Sequence, residues 1–308
     1  MKKIYCSMAL CSALLGWGQT DNDALMMDKN NLCIGTMFQH ESWDHYWEGT
    51  FKRDNLNLGT VTHQSFGIMG NYGVSSKLNL LFGLPYVTAK ASAGTLAGQK
   101  GFQDLSLMAK YMPIETTIGN NTYSLYTLVG FSVPVSNYPA DYLPLSLGLR
   151  SKTATFRVMA DFQRHHFFST ISGAFMYRNN ITIDREAYYT TTYHYTNEVK
   201  MPNAIQTQLR MGYRSDYWIA ELLWDNMITQ TGFDISTNNM PFPSNTMNAS
   251  RVGMNWKYTF KKISGLSITG GSSYVVAGRN VGQTLAYNIG AFYIINFSKS
   301  IPNENKTN

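Results

Sequence analysis

Cysteine is scarce: three residues in 308, and two of them, Cys6 and Cys11, fall in the first eleven positions. That stretch reads as an export signal. Met1-Lys2-Lys3 is followed by a mostly apolar run from Ile4 to Trp17, and Gly16 and Gly18 supply the small residues of a cleavage site. The expected organisation is a signal peptide over 1–18, a single barrel domain over 19–298 and a periplasmic tail over 299–308. Neither early cysteine follows small residues as a lipid-attachment cysteine would. Cleavage after Gly18 leaves Cys33 alone, so no intramolecular disulfide is expected.

Charge is also sparse. Asp, Glu, Lys and Arg make up 14% of the chain, against about a quarter in ordinary soluble domains. Without Lys2 and Lys3 the 25 basic residues become 23 against 19 acidic ones, a mild and scattered excess that does not suggest a nucleic-acid partner. Beyond the signal there is no run of eighteen apolar residues, and mean hydropathy is −0.22, so helical membrane spans are excluded. A closed barrel is the other structure that satisfies its backbone in lipid. Its hydropathy is low because half of every strand faces inward.

What is abundant fits that alternative. Aromatics reach 14%, with 20 tyrosines. The segment Leu285 to Phe297 shows period-two patterning: Leu285, Tyr287, Ile289, Ala291, Tyr293, Ile295 and Phe297 form one apolar face, while Ala286, Asn288, Gly290, Phe292, Ile294 and Asn296 form a smaller, mixed one. Similar alternation recurs in Leu78 to Tyr86, Ile205 to Tyr213 and Arg251 to Tyr258. Twelve strands are expected, at 31–42, 60–74, 77–90, 102–112, 121–136, 152–163, 167–184, 203–214, 216–231, 249–260, 264–278 and 282–298. The fold class is therefore all-β, a transmembrane antiparallel β-barrel of about twelve strands in the cell outer membrane, with outer-membrane lipid around it.

With both termini periplasmic, connections alternate between short turns (Ser75-Ser76, Arg164 to His166, Ser215, Lys261 to Ile263) and long outer loops (Ala91 to Gly101, Asn137 to Ser151, Arg185 to Pro202, Gly232 to Asn248). Pro113 to Asn120 reads as a longer periplasmic turn, and Arg279 to Val281 as a short outer hairpin. The outward phase repeatedly puts an aromatic at the periplasmic end: Tyr72, Tyr111, Tyr123, Phe162, Phe167, Tyr213, Trp218, Tyr258 and Phe297, an aromatic girdle. A soluble β-sandwich or lipocalin-like barrel shares the period but neither the loop asymmetry nor the girdle.

Gly83-Leu84-Pro85-Tyr86-Val87, followed by Gly101-Phe102-Gln103-Asp104-Leu105-Ser106-Leu107-Met108-Ala109-Lys110-Tyr111, resembles the paired signature of the outer-membrane family named for the MetA pathway of phenol degradation. Its members are often called transporters and are similar in kind to the long-chain fatty-acid transporter barrels. The resemblance implies a barrel and a transport role; it brings no catalytic residues and does not imply phenol. The aromatic last strand similarly resembles the signal read by barrel-assembly machinery, an expected partner, although here a tail follows the aromatic.

The inward phase collects Glu41, Asp104, Lys110, Arg157, Asp161, Arg178, Arg210, Arg214, Glu221, Asp225, Arg251, Lys257 and Arg279. An Arg or Lys facing lipid at mid-membrane costs about 2–4 kcal/mol, so this phase supports the barrel. Asp104, Lys110, Arg157, Arg178, Arg210, Glu221, Asp225, Arg251 and Lys257 are the expected lumen-lining set, and Arg210 should lie close to Glu221 across the hairpin at Ser215-Asp216. One reading is a partly plugged interior that the pairs hold together. The other is a narrow polar path with mild anion preference. Pro85 and Pro134 fall inward near the outer ends of their strands, where each breaks a ladder bond; they read as rim bulges or as a sideways opening for an apolar ligand.

Outside, Trp43, Tyr46 and Trp47, and Tyr188, Tyr189, Tyr193 and Tyr195, form aromatic clusters suited to ligand capture or to loop packing. No enzyme is expected: His40 has lipid-facing phase but lacks a matched serine on a neighbouring strand, and His40 with His45 lacks metal-site spacing. No cofactor or metal is expected. The function expected is passive passage of small, including hydrophobic or aromatic, solutes. The alternative is a plugged barrel whose outer loops bind a ligand.

Overall fold

The computed structural model describes residues 20–235 and 240–297. The proposed signal peptide and tail lie outside these residues. Twelve antiparallel strands form the wall: β1 (Asn31–Trp43), β2 (Val61–Ser75), β3 (Leu78–Ala91), β4 (Asp104–Ile118), β5 (Asn121–Pro134), β6 (Thr153–Arg164), β7 (Phe167–Arg178), β8 (Ala204–Arg214), β9 (Trp218–Thr229), β10 (Asn248–Thr259), β11 (Leu266–Arg279) and β12 (Leu285–Asn296). Each pairs with its neighbours in sequence, and β1 closes on β12 from Asn31 opposite Asn296 to Ser42 opposite Leu285. Closure leaves no unpaired sheet edge, the condition for a sheet in hydrocarbon.

Side-chain phase follows the sequence pattern. Val129, Ile171, Leu222, Met254 and Ile289 stand exposed on the outer face, whereas Leu81, Leu128, Met159 and Phe292 are buried inside. At the end bearing the tight turns, girdle aromatics sit side by side across paired strands. Tyr123 and Phe162 have ring centroids 5.4 Å apart, Trp218 and Tyr258 4.8 Å, and Phe167 stands opposite Tyr213.

Two strand ends differ from expectation by six residues each. The longer turn predicted at Pro113 to Asn120 is not a turn. Strand β4 runs on to Ile118, its register with β5 shifts between Tyr111 and Ile114, and the connection is only Gly119-Asn120. Pro113 has no N–H to give a ladder, and the bulge absorbs that loss, so the strand survives a residue that reads as a breaker. Strand β7 ends at Arg178 and does not continue to 184, because Ile181–Thr182 pairs with Glu198–Val199 inside the outer loop.

Three further segments shape the interior. Residues 20–30 precede β1 and lie inside the barrel, with Ala24 and Met27 buried. The loop after β5 folds into the outer mouth, where Tyr138, Leu145 and Leu147 are buried against Leu58, Val61, Val87 and Ala89. The loop between β1 and β2 forms a hairpin, His45–Glu48 with Phe51–Asp54, that lies over the β11–β12 connection: Trp47 donates its N–H to Val281 O at 2.9 Å and packs on Ala249 and Val275. This cover explains why the β11–β12 loop can be short.

Candidate functional site: the lumen

The lumen holds two chambers. The inner one, about 370 Å³, is floored by Thr20 to Asp23 and Leu25. One wall is apolar, built by Met37, Met69, Leu81, Met108 and Phe292 from β1, β2, β3, β4 and β12. The facing wall is polar: Gln208 and Arg210 from β8, Glu221 from β9, Asn255 and Lys257 from β10, and Thr269 from β11. The outer chamber, about 500 Å³, is lined by Gln39, Glu41, His63, Ser65, Pro85, Gln103 and Ser146 among others. Met37, Met69, Gly83 and Ser106 line both chambers, so a neck of two thioethers, a glycine and a serine separates them.

The floor is fixed by Lys110, whose side chain is fully buried. Its Nζ donates to Thr20 O at 2.5 Å, Asp23 O at 2.9 Å, Asp23 Oδ1 at 3.1 Å and Leu25 O at 3.3 Å. Tyr126 adds an O–H bond to Ala24 O at 3.0 Å. Leaving an ammonium's N–H donors unpaired in a buried site is costly, and these oxygens accept from them. The lid is fixed likewise. The Tyr138 hydroxyl donates to Asp104 Oδ1 at 2.7 Å and accepts from Arg150 N at 3.0 Å. Burial, reinforced by Asp104, pushes the Tyr138 hydroxyl above its ordinary pKa, so it stays a donor.

Arg210 and Glu221 do meet. Arg210 Nε donates to Glu221 Oε1 at 3.0 Å, Nη2 bonds the same oxygen, and Asn255 Nδ2 donates to it at 2.8 Å. The contact is diagonal, since Arg210 stands opposite Leu223 and Glu221 opposite Gly212. Arg210, Glu221 and Lys257 line the inner chamber. Other members of the expected lining set are absorbed into packed networks. Arg157 donates to Ser172 and Gln206. Asp225 accepts from Gln206 and Gln208 and lies 3.8 Å from Arg251. Arg178 donates to Pro202 O at 3.2 Å. Twelve strands enclose so little space that long side chains fill much of it.

Pro85 sits at an irregularity. Strand β3 has Leu84 and Pro85 between its pairs Gly83–Ser106 and Tyr86–Phe102, while the facing chain has Gln103, Asp104 and Leu105. Pro85 still accepts from Gln103 N at 3.0 Å. Pro134 stands opposite Asp104 and beyond the last β5–β6 pair, Ser132 with Thr153.

Residues 20–30 and the three methionines escaped the sequence reading. A signal was present: Lys110 is an inward cation whose strand neighbours at its level, Asn79 and Leu128, are uncharged, while Thr20-Asp21-Asn22-Asp23 is a polar, acidic stretch looking for a cation. Among the outer aromatics, Trp47 is committed to loop packing, whereas Tyr189, Tyr193 and Tyr195 are exposed.

No family model matches the chain, and no curated protein matches it. Solved structures do. The COG4313 outer membrane channel from Pseudomonas putida F1 superposes with a TM-score of 0.70 at 14% identity, covering 90% of this chain and 100% of that one. This chain has the fold of an outer-membrane barrel. The transport unit of the autotransporter AIDA-I from Escherichia coli gives a TM-score of 0.45 at 10% identity, over 89% of this chain and 92% of that one. The translocator domain of autotransporter NalP from Neisseria meningitidis gives 0.44 at 10%, over 89% and 90%. The apolar outer belt, the aromatic girdle and the closed sheet place the chain in the outer membrane.

Proposed function

We propose that this barrel is a passive outer-membrane channel for small solutes with hydrophobic or aromatic bodies. The observation that carries the reading is the neck: two chambers in line along the lumen share Met37, Met69, Gly83 and Ser106. Thioether side chains are flexible and polarisable and make favourable contacts with ring edges, so such a neck adapts to an apolar solute. The resemblance of the Gly83 and Gly101 segments to the MetA-pathway family supports the same reading. Pro85 extends it. The outer chamber reaches the wall at Gly67, Ile68, Leu84 and Pro85, and Ile68 is exposed on the lipid side, so a solute could leave sideways there.

A second reading, a plugged barrel that works through its outer loops, draws on the grip of Lys110 on the floor and the inward fold of the loop after β5. Single-channel recording of the refolded protein in a planar bilayer separates the two. Stable conductance steps support the channel; silence from correctly folded protein, together with no uptake of apolar solutes into vesicles, supports the plugged barrel.

A further inference from the structure

The inner chamber is built for a particular kind of molecule. Its apolar side presents Met37, Met69, Met108 and Phe292; its polar side, across four consecutive strands, presents Arg210, Glu221, Asn255, Lys257 and Thr269. A wholly apolar solute would satisfy one side and desolvate the other, and a sugar would do the reverse. The shape of the polarity calls for an amphiphile with a compact body and a polar head.

The sign of the head follows from the polar wall. Arg210, Arg214 and Lys257 line the chamber against one wall carboxylate, Glu221. That carboxylate is already engaged: its Oε1 takes both Arg210 Nε and Nη2 as well as Asn255 Nδ2. Arg210 Nη1, by contrast, is buried and has no acceptor, and Thr269 Oγ1, opposite Lys257 across the β10–β11 pairing, is also without a partner. On the floor, Asp23 is neutralised by Lys110 at 3.1 Å, which leaves Asp21 as the floor's other carboxylate, across the chamber from the Arg210 wall. Arg214 is held by Asp161 at 3.1 Å, so the donor left open on this wall is Arg210 Nη1: a cationic head would be repelled there, and a neutral head would leave the guanidinium poorly matched. A carboxylate accepts from Arg through charge-assisted bonds, the strongest available here. The volume, about 370 Å³, admits a single ring with room to spare, since a cavity of about 150 Å³ holds benzene.

We propose that the inner chamber is a binding site for small monocarboxylic acids with an aromatic or short aliphatic body, the carboxylate held at Arg210 and the body against Met37, Met69, Met108 and Phe292. This rests on the channel reading for its biological sense but not for its test.

The test is calorimetric titration of the refolded full-length barrel with sodium benzoate, benzyl alcohol and benzylammonium chloride. Benzoate is expected to bind at least about tenfold more tightly than benzyl alcohol, with no measurable heat from benzylammonium. Arg210→Lys keeps the ion pair with Glu221 but removes the fork, and should weaken benzoate by about tenfold while leaving benzyl alcohol unchanged. The double variant Arg210→Gln/Glu221→Gln removes both charges together and should abolish the preference for benzoate even if the single variant folds poorly. Equal binding of benzoate and benzyl alcohol, or benzoate binding untouched in both variants, overturns the proposal. Binding without conductance or uptake would defeat the channel reading alone; conductance with no acid preference would defeat this one alone.

Discussion

Lys110 Nζ and Asp23 Oδ1 lie 3.1 Å apart inside the barrel, though 87 residues separate them in the chain. One comes from the wall and the other from the segment that precedes it, so this contact ties the floor of the lumen to β4. Replacing Lys110 by Met leaves Asp23 buried without its cation, a loss of about 3–5 kcal/mol for a broken buried pair. The folded barrel should lose its compact gel migration at a markedly lower temperature, and adding Asp23→Asn should recover most of that loss. Both variants should conduct more than the parent, because the floor is no longer pinned.

Gly73 offers a gentler way to move the floor. A Cβ built there would fall 2.0 Å from Asp28 O, and the Gly73 carbonyl accepts from Asn30 N at 2.8 Å. Gly73→Ala should displace residues 20–30 while leaving the strands intact. The readout is faster proteolysis within that segment at unchanged strand content, and wild-type cleavage rates would count against the floor being held there.

The charge of the lumen is nearly balanced. The thirteen inward-phase residues include eight bases and five acids, but the floor adds Asp21 and Asp23. The mild anion preference read from the strands alone should therefore be small. Asp21→Asn should move the reversal potential in a salt gradient toward anions and Lys257→Gln toward cations; identical potentials in all three proteins would mean that ions do not pass this chamber.

The outer rim should respond to acid. Asp234 accepts from Arg279 Nε and Nη2, each at 2.7 Å, and from Asn280 Nδ2 at 2.8 Å. The Arg279 bonds hold its carboxyl below the ordinary value of 3.8. A carboxyl whose folded pKa is depressed stabilises its contact above the unfolded pKa, and that stabilisation is lost as pH falls through the folded one. Both groups are well exposed, so the effect is local. Below about pH 4 the loop after β9 should loosen from the end of β11. Limited pepsin digestion across pH 2–5, each rate divided by that of an unfolded reference peptide at the same pH, should show relative loop cleavage rising on acidification, and Asp234→Asn should give the same ratio at both ends of the range.

Pro85 tests the sideways exit. Pro85→Val supplies the missing N–H and allows β3 and the facing chain to pair through the irregularity. Uptake of an apolar solute such as toluene into proteoliposomes should fall several-fold while ion conductance along the lumen is kept; unchanged uptake would locate the exit elsewhere.

Much of the wall was legible because a strand's side chains alternate strictly, so a single phase choice places every residue in or out. Leu285 to Phe297 announces β12 on that basis, and the diagonal contact of Arg210 with Glu221 follows from the hairpin between them. Pro113 misled because a bulge can spare a strand, and no local rule says which prolines are accommodated in this way. The contents of the lumen were much less legible. Lys110 meets Thr20, Asp23 and Leu25 only after the wall has closed, and Tyr138 reaches Asp104 only when its loop turns inward. Such contacts leave complementary residues far apart in the chain and no period to find them by. The methionine side of the inner chamber is a similar case, since it gathers single residues from strands that meet only around the closed ring.

The first described residue, Thr20, lies within the barrel, its carbonyl against Lys110. This governs how the protein can be probed in the laboratory. A cysteine introduced at Asn22, which lines the inner chamber, would report from inside the lumen, and the rate at which a small water-soluble maleimide reaches it measures how freely solutes come to the floor.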